Sequence, residues 1–531
     1  QVIATQGAST SDLDLILLQA NVPLADPATT YQVIAGIPGA CRVTLTDQPV
    51  LLQQVILITQ VYQSAGKKMI EVTNNGGGQV PGGTFILNLF SNTSGDMTGI
   101  IPSASYTITS PLNANQSIVI ENSVGGSFSN INSGAISIID DSVTNFNDGN
   151  DIIILSTSSD ATSWENRIDV IQSIDDTTSM VLKDKESNPV TTYDSERWVV
   201  FIDDNLNPYL GINLENPERH PHDPLISEIG ATNQNSNAQM GYHRTGSTTY
   251  TGGSWNNGTP DKSRRIIINE DYFHSGTVLS SRELTLDNNS KLTIHDELLV
   301  ISENINISSG SEIRLSGRSQ LITTHTQSSK TIGNGKLYID QNSTVPSTYV
   351  FNYFSSPVTT VGQNTFSVAS VMKDGTSATD SISSPLDINF TNGYNGDHTT
   401  SPITIADYWI YSYRSSGNWV QTRKDGILMP ADGFTFKGPG TEQNYTFVGA
   451  PNDGDTKKSI GVGEYYLVGN PFPSAINSKK FIQDNIGSIY GTLYFWEQHP
   501  GLTEEAVSSH DNSNYVGGYA TRNLTMGIAA P

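Results

Sequence analysis

The residues best suited to chemistry sit in four turns rich in Asp, Asn and Gly: Asp140-Asp141, Asn147-Asp148-Gly149-Asn150-Asp151, Asp203-Asp204-Asn205 and Asn452-Asp453-Gly454-Asp455. Hard oxygen donors on tight turns are what Ca²⁺ takes. Asp148, Asp151, Asp203, Asp204, Asp453 and Asp455 are therefore candidate calcium ligands, although none of these turns has the EF-hand or nonapeptide spacing. The same residue types also build plain β-turns, because their side chains bond back to the local backbone. His220 and His222, in Pro217-Glu218-Arg219-His220-Pro221-His222-Asp223-Pro224, would point the same way on an extended chain, as a metal pair requires. No further ligand stands near them in the sequence, which favours a surface loop.

Enzymatic signatures are missing. The sequence holds no HExxH, GxSxG, P-loop, dinucleotide-binding glycine fingerprint or CxxC pair. The single cysteine, Cys41, lies in an apolar strand context and reads as an inert buried thiol. Asp287, Asp296, Glu297, Glu303 and Glu312 could supply the paired carboxylates of a polysaccharide-cleaving β-helix. Their setting of two repeats is too short for a long substrate groove, so rim charges are expected and no enzyme is inferred.

A net charge of −24 with no basic run argues against electrostatic binding of nucleic acid or anionic lipid. Only 15% of the 531 residues are charged, so Ser, Thr, Asn, Gln and Gly must cover most of the surface, as suits many short strands and turns. No stretch reaches the ~20 apolar residues of a membrane helix; Val50 to Val61 is broken by Gln53 and Gln54. Gln1 would fit either a mature terminus left by removal of a leader or an artificial boundary of the chain.

The elements that must position these residues read as all-β and multidomain, with a β-sandwich followed by a short β-solenoid and an aromatic-rich β domain. Residues 1–48 form an extended segment or the end of a preceding module. Over 49–250, short apolar runs such as Ile70-Glu71-Val72, Ile118-Val119-Ile120 and Ile152-Ile153-Ile154-Leu155 alternate with Gly and Asn turns, the pattern of a sandwich. Over 251–345 the chain repeats. Leu284, Leu286, Leu292, Ile294 and Val300 recur 21 residues later as Ile305, Ile307, Ile313, Leu315 and Leu321, a spacing that stacked solenoid rungs require. Residues 346–531 are dense in aromatics, most of them expected in the core and some left to stack on sugar rings. A brief helix is predicted over Ser478 to Asn485.

Two resemblances add to this. Met69-Ile70-Glu71-Val72-Thr73-Asn74, and Phe146-Asn147-Asp148-Gly149-Asn150-Asp151-Ile152 with Ile168-Asp169-Val170-Ile171, resemble the strands of lamin-tail-like domains, which are immunoglobulin-like sandwiches common in exported bacterial proteins. Trp255 to Asp261, Tyr353-Phe354-Ser355-Ser356-Pro357, Gly449 to Gly454, Leu467-Val468-Gly469-Asn470-Pro471-Phe472-Pro473 and Gly491 to Trp496 resemble, in order and spacing, surface proteins exported by the type IX secretion system of gliding bacteria.

That resemblance implies an exported, extracellular or cell-surface adhesive or structural protein serving attachment or gliding motility. Its partners would be the outer-membrane secretion or anchoring machinery and surface glycans or other surface proteins. It also implies a fragment of a longer protein with a C-terminal sorting domain, and O-glycans on Asp-Ser/Thr-apolar acceptors at Ser142, Thr177 or Ser381. The alternative is a glycan-binding accessory region of a secreted polysaccharide-processing enzyme. Calcium is the one cofactor the sequence suggests.

Overall fold

The structure, a computed structural model, describes residues 34–35, 43–44, 55–64, 66–91, 100–128, 131–147, 149–157, 166–174, 178–202, 240–276, 278–325, 328–375, 384–414, 417–498, 509–511 and 517–530. It is nearly all β. Two compact units divide the chain at Gln53. In the first, two-residue strands Ile34–Ala35 and Val43–Thr44 pair antiparallel. The second carries everything else.

The sandwich forms because its strands alternate in period two. In Lys67–Asn74, Ile70 and Val72 enter the core between the sheets, while Met69 joins a smaller apolar cluster elsewhere. In Asp151–Ser156, Ile153 and Leu155 face the core, and Ile152 and Ile154 meet a different cluster. One sheet has six strands, in the order Trp198–Ile202, Thr178–Leu182, Ile56–Ser64, Lys67–Asn74, Ser117–Glu121, Ile136–Ile139. The other has four: Arg167–Ile174, Asp151–Ser156, Ile86–Phe90, Ala104–Thr107.

The 21-residue repeat is a parallel solenoid with three sheet faces. The first face stacks Thr248–Thr251, Arg265–Ile268, Glu283–Leu286, Ile305–Ile307 and Thr331–Ile332. The second stacks Tyr272–Ser275, Lys291–His295, Glu312–Ser316 and Lys336–Ser343, and the third Leu279–Ser281, Leu298–Ile301 and Gln320–Thr323. Leu284 pairs with Ile305, Leu286 with Ile307, Leu292 with Ile313 and Ile294 with Leu315, as the spacing requires.

Two expectations are corrected. There are three complete rungs, not two, because Arg265–Ile268, Tyr272–Ser275 and Leu279–Ser281 form a rung with a shorter spacing. Leu321 pairs with Leu299 and not with Val300. The corner before Leu321 is one residue longer, with Gly317 at φ 63° beside Asp296. Gly317 takes the same left-handed corner as Asp296 one rung below, and a Cβ on it would lie 2.0 Å from Asp296 Oδ1, which favours glycine there.

Both open ends of the solenoid are closed. At the start, Tyr250, Trp255 and Tyr272 pack ring against ring at 4.3–5.4 Å. At the other end, Lys336–Ser343 pairs antiparallel with Gln443–Pro451. One hydrophobic core therefore runs from Ile266 through the solenoid to Phe447. The change at residue 345 is a change of sheet type within a continuous core. The predicted helix is Ser478–Asp484, capped by Asn477, whose side chain accepts from the Lys480 N–H.

Charged groups join the sandwich to the solenoid. Asp184, just past a sandwich strand, accepts from Arg265 N (2.8 Å) and Arg282 Nε (2.7 Å). Arg282 Nη1 also reaches Glu283 (2.5 Å) and Glu303 (2.9 Å). Arg244, fully buried, donates to Asp261 at 2.6 Å, and the buried Glu71 accepts from Gly241 N at 2.6 Å. Burial pushes the Glu71 carboxyl up despite the Arg244 charge. Burial and Arg244 together push Arg264 down to about 9, still a cation at neutral pH.

Candidate functional site

The aromatic-rich region is built on a four-stranded sheet ordered Phe351–Phe354, Phe434–Lys437, Tyr411–Arg414, Asn418–Gln421. Its register sorts the side chains. Phe351 pairs with Lys437, Tyr353 with Thr435, Tyr411 with Thr435 and Gln421, and Tyr413 with Trp419. Directly paired residues share a face. One face therefore carries Phe354, Phe434 and Phe436 into the core. The opposite face carries Phe351, Tyr353, Tyr411, Tyr413 and Trp419. Trp419 is 50% exposed and meets Tyr413 edge-on at 5.3 Å.

Lys437 lies on that aromatic face and is fully buried. Its Nζ sits 3.8 Å from the Trp409 ring centroid and 4.6 Å from that of Phe351. Such faces attract a cation through the ring quadrupole. Nζ also lies 3.2 Å from His510 Nδ1. His510 stacks on Trp409 at 4.8 Å, and its Nε2 lies 2.6 Å from Asn395 Oδ1. The bond network assigns the proton to Nε2, donating to Asn395, and leaves Nδ1 to accept from Lys437. Burial pushes Lys437 down to about 8, and burial plus the Lys437 charge holds His510 below the ordinary imidazole value.

Beside this cluster lies a shallow cleft of about 420 Å³, lined by Ser347, Tyr349, Asp397, His398, Pro439 and Gly440 among others. Tyr349 is common to both, meeting His510 at 4.9 Å. The loop before Asp397 contributes Tyr394, which is 57% exposed and packs on Tyr408 at 4.9 Å. The arrangement suits stacking against a ring with hydrogen-bonding groups at its edge. A second aromatic surface lies on the terminal sheet Thr492–Gln498, Gly517–Asn523, Gly527–Ile528, where Tyr494, Trp496 and Tyr519 share a face.

The sequence-predicted ligands are dispersed. Asp148, Asp203, Asp204, His220, His222, Cys41, Thr177 and Ser381 lie outside the described residues. Asp151 is buried and accepts from Asn147 N at 2.8 Å. Asp453 is buried against the solenoid, where its Oδ2 meets His325 Nε2 (2.9 Å) and Lys330 N (2.8 Å). Asp455 is exposed. Among the described residues no group of three His, Cys, Asp or Glu stands close enough to hold a metal ion. Ser142 is exposed, with its hydroxyl donating to Asp140 Oδ1 at 2.6 Å.

The solenoid carboxylates are occupied or peripheral. Glu303 pairs with Arg282 and Lys185, and Glu312 with Lys291 at 2.7 Å. The Gly469 to Pro473 motif closes the solenoid's third face. Leu321 N donates to Pro473 O (2.9 Å), and Ala475 N to Gln320 Oε1 (2.8 Å). Gly469 is required there because a Cβ would lie 2.2 Å from Ser355 Cβ. The Lys437–His510 contact was missed in the sequence, since it joins residues 73 apart. Its one signal is a lysine ending the aromatic alternation Phe434-Thr435-Phe436-Lys437.

A family described as a domain of unknown function (DUF8693) matches residues 245–529, more than half of the chain. The chain belongs to this family. The family's stretch begins at the first solenoid strand and contains the whole solenoid, the aromatic sheet, Lys437, the cleft and the terminal sheet. No curated protein and no solved structure matches the chain.

Proposed function

We propose that this protein is an exported cell-surface protein that serves attachment, with the outward aromatic surfaces of the family region as its adhesive faces. The observation that carries this reading is the four-stranded sheet. One face anchors in the core with Phe354, Phe434 and Phe436, while the other holds Tyr353 and Trp419 out to solvent beside the half-buried Tyr413. Large apolar groups held in water by a rigid sheet mark a contact surface. The low-charge, acidic, Asn- and Thr-rich composition and the resemblance to type IX secretion cargo support export. The lamin-tail-like resemblance of the sandwich, the calcium turns and O-glycosylation at Ser142 belong to the same proposal. Its partners would be outer-membrane secretion or anchoring machinery and surface glycans or proteins.

The second reading, a glycan-binding region of a secreted polysaccharide-processing enzyme, is favoured specifically by the polar cleft at Tyr349 and Asp397. Both readings are tested with beads coated in the purified protein and scored for retention on bacterial cells and on polysaccharide films. Trp419→Ala, at an exposed position, should cut retention at least fivefold while the melting temperature stays unchanged. Retention equal to that of uncoated beads would sink the attachment reading. Mild protease on intact producing cells should clip the protein if it is displayed; full protection would refute export to the surface.

A further inference from the structure

We infer that the cleft bounded by Tyr349, Asp397 and His398 is a binding site for a neutral pyranose unit of a polysaccharide. This deepens the attachment reading and rests on it.

The key group is Asp397, whose backbone and one carboxylate oxygen are held by its own loop. Its N–H donates to Thr404 O and its carbonyl accepts from Thr404 N, both at 2.9 Å. Its Oδ1 takes the Thr399 N–H (2.8 Å) and the Thr399 hydroxyl (2.6 Å). Those two donors hold the carboxyl below its usual range, so it is an ionised acceptor at neutral pH. A carboxylate fixed by backbone and side chain together offers its second oxygen without losing further rotamer freedom, which is what a weak, hydroxyl-rich ligand needs. His398 follows it on the same cleft wall, beside Gly440.

Tyr349 supplies the ring surface. Its position is set from outside the cleft by His510, which is anchored in turn by Asn395 and stacked on Trp409. An aromatic face with a carboxylate and an imidazole at its edge fits a sugar ring, whose C–H face is apolar and whose rim is a row of hydroxyls. Charge selects among sugars. The lining contains one carboxylate and no lysine or arginine, so a uronic acid would meet repulsion without a compensating cation, whereas a neutral hexose would not.

The full chain is titrated calorimetrically with a β-glucan, an α-mannan and a galactan, and with alginate as the acidic comparison. At least one neutral polymer should bind, and alginate should not. Asp397→Asn and His398→Ala should each weaken that binding at least tenfold with unchanged circular dichroism, while Lys479→Ala, exposed on the helix Ser478–Asp484 away from the cleft, should leave it within twofold. Binding insensitive to both cleft substitutions, or a preference for alginate, would overturn the inference. If none of the neutral polymers binds while Trp419-dependent bead retention persists, the cleft assignment fails and the attachment reading stands. Loss of bead retention itself would remove the attachment reading.

Discussion

Removing the Asp184 carboxylate is expected to destabilise the protein by about 3 kcal/mol. Asp184→Ala strands the Arg265 N–H, which donates to it at 2.8 Å, and losing the acceptor of such a donor costs about 1–3 kcal/mol. It also takes one carboxylate from Arg282, whose side chain is only 4% exposed. Arg282 keeps Glu283 at 2.5 Å and Glu303 at 2.9 Å. The charge is therefore not orphaned, and the loss sits at the low end of the about 3–5 kcal/mol for breaking a buried pair. Arg282→Met removes the cation that three carboxylates share and should cost about 4 kcal/mol. The two changes act on one contact, so the double variant should cost about 2 kcal/mol less than the sum. Urea midpoints of wild type, both single variants and the double variant give the four corners of the cycle. Effects that add to within about 0.5 kcal/mol would refute a coupled junction, as would an Asp184→Ala variant with wild-type stability.

The solenoid register is tested by Leu299→Ala, which opens a cavity in the core and should cost about 3 kcal/mol, against a smaller loss for Val300→Ala outside that core cluster; the reverse order in thermal melts would contradict the Leu299–Leu321 pairing. Gly469→Ala forces a Cβ against Ser355 and should cost about 1–3 kcal/mol, with faster proteolysis between 469 and 476. Ser355→Gly in the same chain should restore resistance, and failure to do so would place the defect elsewhere. Asp169 has its carboxyl raised by burial to about 6 from 3.8, so the native state still holds a proton where the unfolded chain has released it. Relative to Asp169→Asn, wild type should lose about 3 kcal/mol as pH climbs from about 4 to about 6 and change little above that. A pH-independent difference between the two proteins would show that the native carboxyl titrates normally.

Much of the fold was legible because period-two alternation and a repeat near 21 residues are local properties of the chain. Ile70 and Val72 entering one core, with Met69 on the other side, follows from strand geometry alone. So does Leu284 over Ile305, since each rung must hide its apolar residues under the next. The pairing of Leu321 was misread because one extra corner residue leaves the apolar pattern of Leu298-Leu299-Val300-Ile301 unchanged, as all four are apolar. Only the backbone path past Gly317 chooses among them.

The sites were less legible for a different reason. Asp453 has the sequence character of a cation-binding turn, yet its partner is His325, 128 residues earlier and brought near by the closing of the solenoid. Lys437 meets His510, and Asp184 meets Arg282 98 residues on, in the same way. By itself the sequence determined the strands, the stacking period and the excess of negative charge, because these depend on neighbours along the chain. The tertiary structure decided which charges are neutralised, which aromatics reach water and where a cleft opens, because burial and distance between remote residues exist only once the sheets have packed.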